Sequence, residues 1–370
     1  MRYYFVAGER SGDLHGSNLI KALKKLDPQA TFRGFGGDYM KEAGLDLIVH
    51  YDELAFMGLK ALVTNAWTIF KKIRVCKADI LQYQPDVIVL IDYAGFNGRV
   101  ARFGKRMGIK VFYYISPKVW AWYTSRALQL KAHVDRMFVI LPFEKEFFGK
   151  FDFDVDYVGN PVLDSVKAFQ PEPEFLKRNE LVTSRKIIAL LPGSRKMELK
   201  WIVPIMAEVV NANPEYQFAV AAIHSLPAEL YAPLRKFASV KFIFDATYDL
   251  LCHAEAAIVT SGTATLETGI FKVPQVVVYK AGIIEIAIIR KMVKVPFISL
   301  INLIANKVVV KELIQQDATF DRVNDELKKL VQDSEYRKEM LLEYARVYEI
   351  LDTGSASDNT ARLMTKYLSG

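Results

Sequence analysis

The stretch Asp86-Val87-Ile88-Val89-Leu90-Ile91-Asp92 decides the fold. Five apolar residues in a row, with no polar alternation, are what a strand buried on both faces of a parallel sheet requires. Downstream, a helix is predicted through Gly98 to Met107, then strands at Lys110 to Ile115, Arg136 to Leu141 and Asp156 to Gly159. Upstream, Tyr3 to Ala7 reads as the first strand and Leu14 to Leu26 as the first helix. Strands alternating with helices in this way predict a doubly wound α/β domain.

Phe169 to Arg185 interrupts the pattern with Pro171, Pro173 and several charges, and reads as a linker. The rhythm then restarts with strands at Lys186 to Leu191, Gln217 to Ala222, Lys241 to Phe244, Ala256 to Thr260 and Gln275 to Tyr279. Helices are expected at about Lys200 to Ala212 and Asp249 to Ala254, and beyond Asp317 the chain is charged and helical. The expected organisation is a domain over 1–168, a second over 186–350, and a final helix at 355–370 packing back on the first. Two facing Rossmann-like doubly wound domains, the α/β arrangement of type B glycosyltransferases, fit this pattern. Periplasmic binding proteins and sugar-nucleotide epimerases fit it too, so fold alone does not decide function.

Composition agrees with two globular cores: 370 residues, 51% hydrophobic and 25% charged. Cys76 and Cys252 provide neither a disulfide framework nor a zinc pair, as in a reducing cytoplasm. The opening Met1-Arg2-Tyr3-Tyr4-Phe5-Val6-Ala7-Gly8 lacks the apolar stretch and cleavage site of a secretory signal. The most apolar region, Val276 to Val310, is broken by Lys280, Glu285, Arg290, Lys291 and Lys294, so any membrane contact is expected at the surface. A net charge of +7 and a pI near 9.0 point to an anionic partner, or equally to simple solubility. The five histidines lack ligand spacing, so neither a metal nor another cofactor is predicted.

The chemistry-bearing residues cluster where strands end. Gly8-Glu9-Arg10-Ser11-Gly12-Asp13 joins the first strand to the first helix, a place where backbone N–H groups are free. Its carboxylates would repel a diphosphate and suit sugar hydroxyls, which makes Glu9, Ser11, Gly12 and Asp13 candidate sugar contacts; Ser11 or Asp13 as a plain helix cap is the alternative. Asp92 closes the central strand and is the candidate general base, with Asn97 nearby, or else a helix cap. Ser116, Trp120 and Trp122 follow the next strand and offer aromatic faces to sugar or acyl chains, or to the core.

In the second half, Gly193, Ser194 and Arg195 follow the first strand; glycine lets backbone approach a phosphate and arginine grips it. Ser261, Gly262, Thr263 and Ala264 end another strand and open a helix, forming an anion-binding turn, and Glu267 further along is placed to take ribose hydroxyls. An ordinary capped helix is the alternative. Between Leu59 and Lys77, an apolar stripe that includes Leu62, Val63, Trp67 and Phe70 adjoins Lys71, Lys72 and Arg74. That edge suits an anionic membrane surface; a core-facing helix with a solvated basic end explains it equally well.

Taken in order, these motifs resemble the lipid A disaccharide synthase family of nucleotide-sugar glycosyltransferases. The resemblance also draws on Gly36-Gly37-Asp38-Tyr39-Met40, Glu53-Leu54-Ala55-Phe56-Met57-Gly58, Leu141-Pro142-Phe143-Glu144 and Ser299-Leu300 with Asn302-Leu303, and runs from Phe5 to Lys311. It implies a metal-independent, inverting transferase. The implied donor is UDP-2,3-diacylglucosamine, the acceptor is 2,3-diacylglucosamine 1-phosphate, and the product is the β-1,6-linked disaccharide 1-phosphate. By the same resemblance Asp92 is the base, Arg195 a catalytic nucleotide-site residue, and Met57 joins the sugar contacts. It further implies peripheral attachment at the inner face of the bacterial cytoplasmic membrane, with a homodimer compatible and no nucleic-acid partner. The sequence departs from the family at Ala94, Gly95, Lys118, Tyr123 and Asn160, which bears on the acceptor side. A UDP-sugar 2-epimerase and a non-catalytic sugar-nucleotide or lipid binder are the rival classes. A dinucleotide oxidoreductase is disfavoured, as neither half carries G-x-G-x-x-G.

Overall fold

The computed structural model describes residues 1–54, 66–121, 126–282 and 295–369. Met57, Leu62, Val63 and Trp122, named above, lie outside these residues. The chain divides into two compact units, Met1–Pro161 with Asp352–Gly370, and Val162–Leu351.

The first unit is built on seven strands: β1 (Arg2–Ala7), β2 (Thr31–Gly36), β3 (Asp46–His50), β4 (Val87–Ile91), β5 (Lys110–Tyr114), β6 (Arg136–Val139) and β7 (Asp156–Tyr157). They lie in the order β3-β2-β1-β4-β5-β6-β7, and every pairing is parallel. The β4 run quoted at the outset is buried at every position, with Ile88 and Leu90 in one core and Val87, Val89 and Ile91 in the other. Strand order reverses between β1 and β4, which creates the crevice where doubly wound sheets bind ligands. Asp92 follows β4 directly, and Glu9 follows β1 after Gly8.

β2 and β3 escape a hydrophobicity reading. β2 reads Thr-Phe-Arg-Gly-Phe-Gly, and Gly34 sits at φ +146°, where any Cβ would collide with the carbonyl of Phe5 on the neighbouring strand. The alternation Asp152-Phe153-Asp154-Val155-Asp156 leads into the edge strand: Phe153 and Val155 enter the core, and Asp156 accepts from Tyr367. The helix Ala356–Ser369 belongs to this unit. It lays Ala361 and Met364 among Leu19, Leu23 and Phe138, and Asn359 donates to the carbonyl of Val158 at 3.0 Å.

The second unit repeats the scheme with six parallel strands: β8 (Ile187–Leu191), β9 (Gln217–Ala222), β10 (Lys241–Phe244), β11 (Ala256–Thr260), β12 (Gln275–Tyr279) and β13 (Lys311–Ile314). Their order is β10-β9-β8-β11-β12-β13, so the switch point falls between β8 and β11. The edge strand β13 was not anticipated, since Lys-Glu-Leu-Ile has no sustained apolar run. Part of the expected linker is ordered into this unit: Phe175 is fully buried beside Leu250 and Leu251, and the backbone N–H of Glu172 donates to Asp249 at 2.7 Å.

Candidate active site

In the first unit the site grows from an unusual backbone turn. Asp92 and Tyr93 both adopt left-handed conformations, at φ +44° and +49°. Such conformations cost non-glycine residues on the order of 1–3 kcal/mol each and persist only where surroundings enforce them. Here the enforcement is visible. The carbonyl of Asp92 accepts from the phenol of Tyr113 at 2.5 Å and from the amide of Asn97 at 2.8 Å. Tyr93 donates its hydroxyl to the carbonyl of Leu54 at 3.1 Å and lies over Gly8, where a Cβ would clash with the Tyr93 ring. Gly8 is therefore required by close packing rather than by a turn. The turn also explains why the following helix begins at Ala94, earlier than hydrophobicity suggested.

The carboxyl of Asp92 is pushed up to about 6, mainly by burial and then by the charge of Glu9, with Lys118 pulling it down. Glu9 and Lys118 are exposed, so Asp92 stands half-buried between a carboxylate and an ammonium. A carboxylate poised near the working pH at a switch point has the character a general base needs.

Other expected sugar contacts have different occupations. Asp13 is buried, and its carboxylate accepts from the backbone N–H groups of Gly37 (2.7 Å), Tyr39 (3.1 Å) and Met40 (3.1 Å). It caps the helix Asp38–Glu42 and ties that helix to Arg10–Leu26. Asn97 is fully buried, and its amide donates to the carbonyls of Val6, Ile91 and Asp92. Gly12 is buried against Ala7 and Ile91, whereas Ser11 is exposed. Ser116 and Trp120 are buried and turn their polar atoms to Glu144, Trp120 at 3.1 Å. Glu144 was quoted only as part of a motif, and its role depends on tertiary contacts that no local pattern reveals.

In the second unit, Gly193 follows β8 at φ +102°. The carboxylate of Glu198 accepts from the backbone N–H groups of Ser194 (2.9 Å) and Arg195 (3.1 Å) and pairs with the Arg195 guanidinium at 3.0 Å. The side chain of Arg195 is nonetheless 71% exposed. After β11, Gly262 sits at φ +148° with open space around it, and Thr263 is exposed at the first turn of the helix Thr263–Ile270. The hydroxyl of Ser261 donates to the carbonyl of Ile298 at 2.8 Å. Ala264 is half-buried on the first helical turn. Glu267 accepts from Tyr248 at 2.8 Å, and burial pushes its carboxyl up. Glu312, which sequence reading passed over, gathers the backbone N–H of Ile298 and Ser299 together with the side chains of Ser299 and Asn302.

On the helix Ala66–Tyr83, Trp67 and Phe70 are 78% and 54% exposed, and Lys71 and Arg74 are exposed beside them. Lys72 is half-buried and paired with Glu53. With the helix Ala94–Arg106 this surface forms a groove of about 880 Å³ whose rim adds Lys77, Arg99, Arg102 and Arg106. Among the described residues no carboxylate lines it.

Comparison with known proteins bears on both units. Residues 3–364 match the family described as Lipid-A-disaccharide synthetase. The chain is 36% identical over 373 residues to the lipid-A-disaccharide synthase of Geobacter metallireducens, covering 99% of this chain and 97% of that protein. Among solved structures, the S. aureus MnaA-UDP co-structure superposes with a TM-score of 0.71 at 13% identity, over 100% of this chain and 97% of the other. The calicheamicin glycosyltransferase CalG4 gives 0.64 at 13% identity, over 100% and 98%. At such identities these structures establish the fold alone.

Proposed function

Since the chain belongs to the lipid-A-disaccharide synthetase family and is a glycosyltransferase, we propose that it joins UDP-2,3-diacylglucosamine to 2,3-diacylglucosamine 1-phosphate, releasing UDP. The observation that carries this reading is the placement of Asp92 at the β1/β4 switch point with its carboxyl raised to about 6. Mostly ionised at neutral pH yet still basic, it takes the proton of the acceptor 6-hydroxyl as that oxygen attacks the donor's anomeric carbon. The C–O bond to UDP breaks as the new bond forms on the opposite face, inverting the configuration. Arg195 and the turn at Gly262 and Thr263 stabilise the charge gathering on the departing diphosphate. Glu267 holds the ribose, and Glu9 and Ser11 contact sugar. No cofactor enters the scheme.

The transferase works on acylated substrates at the inner face of the cytoplasmic membrane. Support comes from the exposed Trp67 and Phe70, bordered by Lys71, Arg74, Lys77, Arg99, Arg102 and Arg106, which matches an anionic headgroup layer. Among the described residues no helix is long and apolar enough to cross a membrane.

The direct test is to mix the purified protein with both acylated substrates and follow products by mass spectrometry. The reading predicts UDP and disaccharide 1-phosphate in equal amounts. Conversion of UDP-N-acetylglucosamine with no acceptor present would instead favour a 2-epimerase.

A further inference from the structure

Glu144 is fully enclosed in the first turn of the helix Pro142–Gly149, and each of its four hydrogen-bond partners is a donor. The backbone N–H groups of Ile140 (3.1 Å) and Leu141 (2.9 Å) bind one oxygen, as a glutamate at this helical position commonly arranges. The other oxygen reaches out of the helix, 24 and 28 residues back in the chain, to the indole N–H of Trp120 and the hydroxyl of Ser116. Those two residues bracket Lys118, whose charge acts on Asp92.

We propose that Glu144 is a positioning residue of the transferase: its carboxylate clamps Ser116 and Trp120 and so sets the loop that presents Lys118 to Asp92. The proposal rests on the reading of Asp92 as base. An ionised carboxylate offers only acceptors, which matches four donors. A protonated one must turn its own O–H toward a donor. The two backbone N–H groups cannot rotate, so the Ser116 hydroxyl must reverse to accept, and the Trp120 indole is left with a weaker hydroxyl acceptor.

This exchange lies within reach of neutral pH. Burial pushes Glu144 up to about 7 against the pull of its four donors. The titratable group facing it from β7 is Tyr157, which burial and the charge of Glu144 together raise to about 12 and so keep neutral. The loop after β5 contributes Lys118, which is exposed. Glu144 is thus the group whose protonation loosens the Trp120 end of the loop.

The test is the pH dependence of tryptophan emission alongside steady-state kinetics in wild type, Glu144→Gln and Trp120→Phe. The amide of Glu144→Gln imitates the protonated acid. The expected result is an emission change centred near pH 7 in the wild type, absent from both variants. Glu144→Gln should also lower kcat about tenfold, the equivalent of one buried hydrogen bond, with UDP affinity unchanged because Arg195, Thr263 and Glu267 belong to the other unit. Should Glu144→Gln fail to fold, Ser116→Ala removes one donor and must move the emission midpoint to higher pH. Unchanged emission titration in these variants, or kcat that falls only in step with the folded fraction, overturns the proposal. Failure of the wild type to transfer glucosamine would instead overturn the reading of Asp92, while the emission titration needs no substrate and still judges Glu144.

Discussion

The side-chain amide of Asn97 donates to the backbone carbonyl of Asp92 at 2.8 Å, and the same nitrogen reaches the carbonyls of Ile91 (3.1 Å) and Val6 (3.3 Å). One buried amide therefore stitches the ends of β1 and β4 to the left-handed turn that carries the proposed base. Asn97→Ala leaves these carbonyls with an empty space in place of a donor. A destabilisation of about 1–3 kcal/mol is expected from such a loss. Chemical denaturation checks that figure, and kcat should fall with UDP affinity unaltered.

The charges around Asp92 make its titration adjustable. Activity should rise with pH through about 6 as the Asp92 carboxylate forms, with a smaller further rise near 7 as Glu144 ionises. Glu9→Gln removes a neighbouring negative charge, so the acid limb of kcat/KM should move to lower pH. Lys118→Met removes a positive one, and the limb should move to higher pH. Opposite displacements in the two profiles are the expected signature.

Burying an ionised carboxylate also costs stability, and the sign follows from its raised value. The folded protein holds the Asp92 proton up to about pH 6, whereas the unfolded chain releases it near 3.8. The stabilising contribution is present below 3.8 and lost as pH rises through 6. Asp92→Asn has no charge to bury, so it should exceed the wild type at pH 8 by about 3 kcal/mol, with little difference at pH 3.5. Urea denaturation at the two pH values reads this directly.

The groove bordered by Trp67 and Phe70 predicts salt-sensitive attachment to anionic vesicles. Replacing Trp67 and Phe70 by serine should abolish most sedimentation with liposomes. Replacing Lys71 and Arg74 by glutamine should weaken it several-fold, the more so at low ionic strength, where surface charge reaches further. Unchanged sedimentation in both variants would remove this helix as the anchor.

Much of this was written in local sequence. The β4 and β8 runs announce their positions because buried parallel strands are continuously apolar, and with them the segments Gly8-Glu9 and Gly193-Ser194-Arg195 are legible as lying at strand ends. What escaped was whatever depends on partners distant in the chain. Nothing local to Asp13 tells that Gly37, Tyr39 and Met40 bring their N–H groups to it from 24 to 27 residues away. Ser116, Trp120 and Glu144 sit in separate motifs, and only the fold shows that they form one cluster. Edge strands β3 and β13 escaped for another reason: their apolar runs, Leu47-Ile48-Val49 and Leu313-Ile314, are short and flanked by charged or polar residues.

The central claim is that Asp92 removes the acceptor's proton while the second unit holds UDP. Single-turnover transfer and calorimetric UDP binding by Asp92→Asn, with Arg195→Ala as comparator, test it most directly. The account predicts that Asp92→Asn binds UDP like the wild type and forms no disaccharide, whereas Arg195→Ala loses affinity and on the order of 10²-fold in rate. Disaccharide formed by Asp92→Asn at the wild-type rate would contradict it.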